Sequence, residues 1–90
     1  MGEHAELLTR PSNYAVVQLP TRKFPGIVFQ GDSAHSIFTR LTLLKQSGCI
    51  QDEDMQIELD ELIELFTAVL ASYEQVLARH GIELPYVKRR

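Results

Sequence analysis

The chain has 90 residues, a formal net charge of −3 and a hydrophobic content of 44%. This length predicts a single domain spanning residues 1–90, and the composition is that of a globular protein, not a disordered one. The acidic balance gives no general attraction to nucleic acid or to anionic lipid, so neither is an expected partner. The single cysteine, Cys49, excludes an intramolecular disulfide.

The sequence contains no apolar run that approaches the length of a membrane span. The first residues, Met-Gly-Glu-His-Ala-Glu, contain no apolar run, so no signal peptide is expected. We therefore expect a cytoplasmic protein without a membrane partner.

The first half of the chain predicts a β-hairpin. Residues 14–19 are aromatic and β-branched and end at Pro20, and residues 27–30 form a second short strand after the Pro25-Gly26 turn. Because both strands carry apolar residues on both faces, we expect residues 27–29 to fill the core. A two-stranded sheet is marginal in water, so a third strand is expected from residues 5–9, from the C-terminal segment or from another subunit. Residues 1–12 are accordingly either flexible or an added strand.

The second half predicts two helices. Gly31-Asp32-Ser33 opens the first, with Asp32 or Ser33 as its cap, and Gly48 ends it. The second runs from about residue 54 to 80, and Gly81 ends it. Its residues follow a heptad seam, namely Met55, Leu59, Leu62, Phe66, Val69, Tyr73, Val76 and His80, widened by Ile63, Leu70 and Leu77.

The remaining residues form an extended segment over 82–87 and a basic tail over 88–90. The fold class predicted from these elements is α+β. A small antiparallel sheet packs against two antiparallel helices, of which the second is long. A face as wide as that of the second helix, in a chain without disulfide or metal, favours a homodimer.

Several segments resemble a family of short uncharacterised bacterial proteins. They are residues 13–20, Phe24-Pro25-Gly26, Gln30-Gly31-Asp32-Ser33, Tyr73 and residues 80–86. This resemblance implies the same architecture and a bacterial source, without an activity. Residues 14–45 are also similar to the core of HicB-like antitoxins, which have a partial RNase H-like fold and neutralise a small toxin by binding it. That similarity implies protein binding.

Two groups of residues are candidates for a site. Gln30, Asp32, Ser33 and His35 lie at the strand-to-helix corner, where a ligand site or a Ser–His pair is one interpretation and helix capping is another. Neighbouring residues in one helical turn point in different directions, so we assign no catalytic residue. The second group lies in the hairpin connection and consists of Arg22, Lys23 and Phe24.

The three histidines lack the spacing of a metal site, so no metal and no cofactor is expected. Acidic residues crowd the first half of the second helix and predict a solvated face or a surface for a basic partner. The function we favour is a non-enzymatic protein-binding or regulatory module, antitoxin-like and homodimeric. The alternatives are a ligand-binding protein or enzyme that uses the corner at Gln30–His35, and a DNA-associated regulator.

Overall fold

Two stretches of chain, separated at residue 30, form the fold. The computed structural model describes residues 4–10, 12 and 14–88. Contacts divide the chain into a unit of Met1–Gln30 and a unit of Gly31–Arg90. The first contains a three-stranded sheet and the second contains two helices, so the predicted α+β class is confirmed. No helix in the described ranges is long and apolar enough to cross a membrane.

The sheet of the first unit is antiparallel, with strand order β1-β2-β3. Its strands are β1 (Glu6–Leu7), β2 (Tyr14–Gln18) and β3 (Gly26–Phe29). β2 and β3 form the predicted hairpin, and β1 is the third strand expected from residues 5–9. The extended segment 82–87 contributes no strand. Residues 1–3, 11, 13 and 89–90, which include part of the predicted basic tail, lie outside the described residues.

The burial of β2 alternates as a half-buried strand requires. Ala15 and Val17 are buried, whereas Tyr14 on the opposite face is exposed. The core assignment of the second strand is wrong, because Ile27, Val28 and Phe29 are all exposed. β3 is an edge strand of the sheet, so it has a neighbour along one side only.

The two helices of the second unit run antiparallel. They are α1 (Gly31–Ser47) and α2 (Glu53–Arg79). Gly31 at the start of α1 lies against Tyr73 late in α2, and Lys45 near the end of α1 pairs with Asp60 early in α2. The two contacts at opposite ends fix the antiparallel direction.

The predicted ends of α2 are confirmed by their capping geometry. The side chain of Asp52 caps α2 by accepting a 3.0 Å hydrogen bond from the backbone N–H of Met55. Gly81 has φ +66°, and the following N–H of Ile82 donates to the carbonyl oxygen of Leu77 at 2.9 Å. This bond and the one from Gly81 to Ala78 are those of a Schellman motif.

The interface between α1 and α2 uses only part of the predicted heptad seam. Phe38 of α1 and Leu59 and Leu70 of α2 are buried. Phe66 and Tyr73 are half-buried, as are Ile63 and Leu77. The other seam residues, which recur every seventh position, remain exposed, namely Met55, Leu62, Val69 and Val76. The seam therefore divides into an inner face that contacts α1 and an outer stripe.

Candidate functional site

The connection between β2 and β3 begins with a tight turn held by one side chain. The backbone N–H of Arg22 donates to the carbonyl oxygen of Leu19 at 3.3 Å, which closes a β-turn with Pro20 at its second position. The Gln18 side-chain amide donates to the carbonyl oxygens of Leu19, at 3.1 Å, and Arg22, at 2.7 Å. Gln18 thus fixes the backbone that presents the predicted residues Arg22, Lys23 and Phe24.

These three residues are displayed to solvent. The Phe24 side chain is 73% exposed, and the Lys23 ammonium nitrogen lies 5.4 Å from the centre of its ring, a cation–π distance. Neither Arg22 nor Lys23 forms an ion pair with another described residue. An open depression of about 460 Å³ runs along Leu19 and residues 21–26. The connection therefore carries positive charge beside an exposed aromatic ring.

One face of the hairpin continues this apolar surface. Ile27 and Phe29 alternate along β3 and share a face with Tyr14 of β2, which pairs with Phe29. All three side chains are more than half exposed, and the Tyr14 and Phe29 rings lie 6.3 Å apart. We call the residues Tyr14, Arg22, Lys23, Phe24, Ile27 and Phe29 the hairpin surface. Sequence reasoning found its charged half but assigned Ile27 and Phe29 to the core, because alternation alone does not show which face is covered.

The four predicted corner residues fall on both sides of the boundary between the units. Gln30 is exposed and is the last residue of the first unit, whereas Asp32, Ser33 and His35 lie in the first turns of α1. The Asp32 carboxylate accepts a 2.8 Å hydrogen bond from the backbone N–H of Ser33. This bond satisfies one of the free N–H groups at the helix start. It is not an N-cap, because α1 already begins at Gly31 and an N-cap side chain accepts from the second or third helical residue. The predicted cap at Asp32 or Ser33 is therefore wrong, since both residues lie inside the first turn.

His35 contacts the C-terminal segment. Its ring stacks on the Tyr86 ring, with centroids 3.9 Å apart and planes 10° from parallel. Tyr73 of α2 contacts the same ring of Tyr86 at 6.5 Å. We call His35, Tyr73 and Tyr86 the aromatic cluster. It joins both helices to the segment that follows α2.

A buried carboxylate lies beside the aromatic cluster. Glu74 is 9% exposed, and its Oε2 accepts a 2.8 Å hydrogen bond from the Tyr86 hydroxyl. The Lys88 ammonium group lies 3.7 Å from the other carboxylate oxygen, Oε1. Sequence patterns did not identify Glu74 as a buried residue. Its position could have indicated this, because Glu74 is the only acidic residue in the second half of α2.

The other candidate groups are surface features. Cys49 is exposed, and Asp60 in the acidic half of α2 forms a 2.7 Å ion pair with Lys45, both more than half exposed. Within the described residues, no group of three or more His, Cys, Asp or Glu side chains has an arrangement that would hold a metal ion.

The fold and these surfaces define a small α+β protein with an exposed hairpin and a helical hairpin closed by its own C-terminal segment. The chain belongs to a family of unknown function (DUF6959), whose sequence model matches residues 1–86. The resemblance to a family of short uncharacterised proteins is confirmed to that extent. Searches among curated proteins and among solved structures found no match.

Proposed function

We propose that this chain is a non-enzymatic protein-binding module of the bacterial cytoplasm, which acts as a homodimer and engages its partner through the hairpin surface. The observation that carries the proposal is the exposure of Ile27 and Phe29 on the edge strand β3, next to the exposed Phe24 and two cationic side chains in the connection before it. Exposed aromatic and branched side chains grouped in this way are typical of protein interfaces.

The edge of β3 supports a particular binding mode. β3 pairs with β2 through four residues, and no other strand in the described part of the chain pairs with it. Its outer edge presents backbone N–H and C=O groups that a fourth strand can pair. An extended segment of the partner would add to this edge and place alternate side chains on Ile27 and Phe29.

The positive charge of the connection favours a partner segment with acidic residues. Arg22 and Lys23 lie directly before Phe24, and neither is neutralised by a described carboxylate. A complementary segment therefore combines alternating apolar residues with acidic residues near its end. Binding by sequestration of such a segment is the way an antitoxin-like protein would act, which agrees with the similarity of residues 14–45 to HicB-like cores.

The proposal is tested with a displayed library of 12-residue peptides selected against the purified chain. We expect enriched peptides to alternate apolar residues and to carry acidic residues at one end. Phe24→Ala and the double charge reversal Arg22→Glu/Lys23→Glu should each weaken the best peptide by about tenfold or more. The matched control is Leu43→Ala, which removes another apolar side chain that is more than half exposed, from α1.

Substitutions at the start of α1 would give the result that contradicts the proposal. If Ser33→Ala or His35→Ala abolished peptide binding while Phe24→Ala left it unchanged, the binding site would lie at the start of α1 and the proposal would be wrong. Failure to enrich any peptide would also contradict it.

A further inference from the structure

We infer that the outer stripe of α2 is the interface of the homodimer, in which two copies of α2 pack antiparallel about a two-fold axis near residue 67. This inference develops the dimer of the proposed function by assigning its surface and geometry. It is independent of whether the hairpin surface binds a peptide.

The stripe has the geometry of a helix–helix seam. Met55, Leu62, Val69 and Val76 recur every seventh residue, and each remains between 41% and 53% exposed. A seven-residue step drifts by only about 20° around a helix, so the four side chains form an almost straight row about 32 Å long. A second row three residues further along contains Glu58, Leu65, Ser72 and Arg79. The two rows fall at the a and d positions of a heptad; the first row is apolar throughout, whereas in the second row only Leu65 is apolar.

The helical unit leaves this row free because α1 contacts a different face of α2. Leu59 and Leu70, the buried residues of α2 that pack in the helical hairpin, each lie one or four positions from a stripe residue. The outer stripe is thus a second apolar face of α2, which another helix besides α1 can cover. Near the middle of the row, Ala68 and Ser72 are small, which lets two helices approach closely.

The distribution of charge along α2 favours antiparallel packing of the two helices in the dimer. Acidic residues occupy the first half of α2, whereas its last turn carries Arg79. Parallel packing would place the two acidic halves together, and antiparallel packing places each against the other chain's basic end. Glu58 and Arg79 occupy the same heptad position at the two ends of the seam. With Leu65 packed against Val69 of the partner subunit, Glu58 lies within one turn of Arg79 of the partner subunit.

This geometry is tested first by a charge swap, with the dissociation constant measured by sedimentation equilibrium. The wild type should have a mass of about 20 kDa, twice the 10.2 kDa of one chain. Glu58→Arg and Arg79→Glu should each weaken the dimer about tenfold, since each creates two like-charge contacts, and the double variant should restore it. Glu64→Arg, an equal charge change outside both rows, should leave the dimer unchanged.

Crosslinking tests the axis. In a Cys49→Ser background, Ala68→Cys places thiols of the two chains on the same flank of the seam, and a short bis-maleimide should join them. Ala71→Cys, on the opposite side of α2, should not crosslink. All substituted positions in α2 are exposed, so the variants should fold, and far-UV circular dichroism checks that they do.

A monomeric wild type at micromolar concentration would overturn both the inference and the proposed homodimer. A dimer that crosslinks equally at Ala68→Cys and Ala71→Cys, or that the double charge swap fails to restore, would overturn the inference alone. Peptide binding by the monomeric variant Val69→Lys would leave the role of the hairpin surface standing.

Discussion

The Tyr86 hydroxyl donates a hydrogen bond of 2.8 Å to Oε2 of Glu74, which joins the C-terminal segment to the second half of α2. The Glu74 side chain is buried, and a buried carboxylate is costly unless hydrogen bonds or charges compensate it. The stack of Tyr86 on His35 extends this connection to α1. His35 and Tyr86 therefore help to hold the helical unit together.

Removing the Tyr86 hydroxyl tests this connection. Tyr86→Phe keeps the ring stacked on His35 but deprives the Glu74 carboxylate of a hydrogen bond. We expect the free energy of unfolding to fall by about 1–3 kcal/mol, measured by urea denaturation. Tyr14→Phe is the control, because the exposed Tyr14 hydroxyl makes no hydrogen bond within the described residues. This substitution should change stability by less than about 0.5 kcal/mol. Equal effects of the two substitutions would contradict the account.

A substitution at Gly31 tests the packing of α1 on α2. A methyl group at this buried position would overlap the ring of Tyr73. Gly31→Ala should therefore destabilise the chain by about 1–3 kcal/mol in thermal unfolding, although alanine is the better helix former. Tyr73→Leu in the Gly31→Ala background should recover part of the loss, since it removes the far end of the ring. Gly26→Ala, with open space around the new methyl group, should not destabilise.

Substitutions at Asp52 test the hydrogen bond that caps the start of α2. Because its carboxylate accepts the N–H of Met55, Asp52→Ala should lower the free energy of unfolding by about 1 kcal/mol. Asp52→Asn retains an acceptor oxygen and should cost far less. If both variants lost the same stability, the capping hydrogen bond would not be the cause.

Gln18 tests how the hairpin surface is held. Gln18→Ala removes both side-chain hydrogen bonds to the turn, at a cost of about 0.5–1.5 kcal/mol. Phe24 should then become more mobile, so the affinity for a selected peptide should fall although no contact residue has changed. The two effects are measured by urea denaturation and by titration calorimetry. Unchanged affinity in a destabilised variant would show that the turn does not position the binding residues.

Local sequence patterns predicted most elements. Pro20, Pro25 and the β-branched runs placed β2 and β3 within a residue or two, and the predicted start of α2 near residue 54 and its end at Gly81 lie within about a residue of the observed ends. These signals work because each acts on the backbone of its own neighbours. β1 was one of three alternatives for the third strand, since a strand of two residues carries little pattern of its own.

The faces of the elements could not be predicted in the same way. The heptad step indicates a seam along α2, but it does not show that Leu59 packs inward while Leu62 stays exposed. Alternation along β3 likewise left Ile27 assigned to the core. The contact of Tyr86 with His35 joins residues about 50 positions apart, and no local periodicity reports such a pair. Sequence patterns therefore named the exposed loop residues as candidates but not the exposed strand residues.

The most direct test of the central claim is amide hydrogen exchange of the chain with and without a selected peptide. Every second amide of β3 points to the outer edge of an antiparallel sheet. If a partner strand adds there, outward amides within Gly26–Phe29 should exchange at least about tenfold more slowly when the peptide is bound. Protection confined to Asp32, Ser33 and His35, with β3 unchanged, would contradict the account.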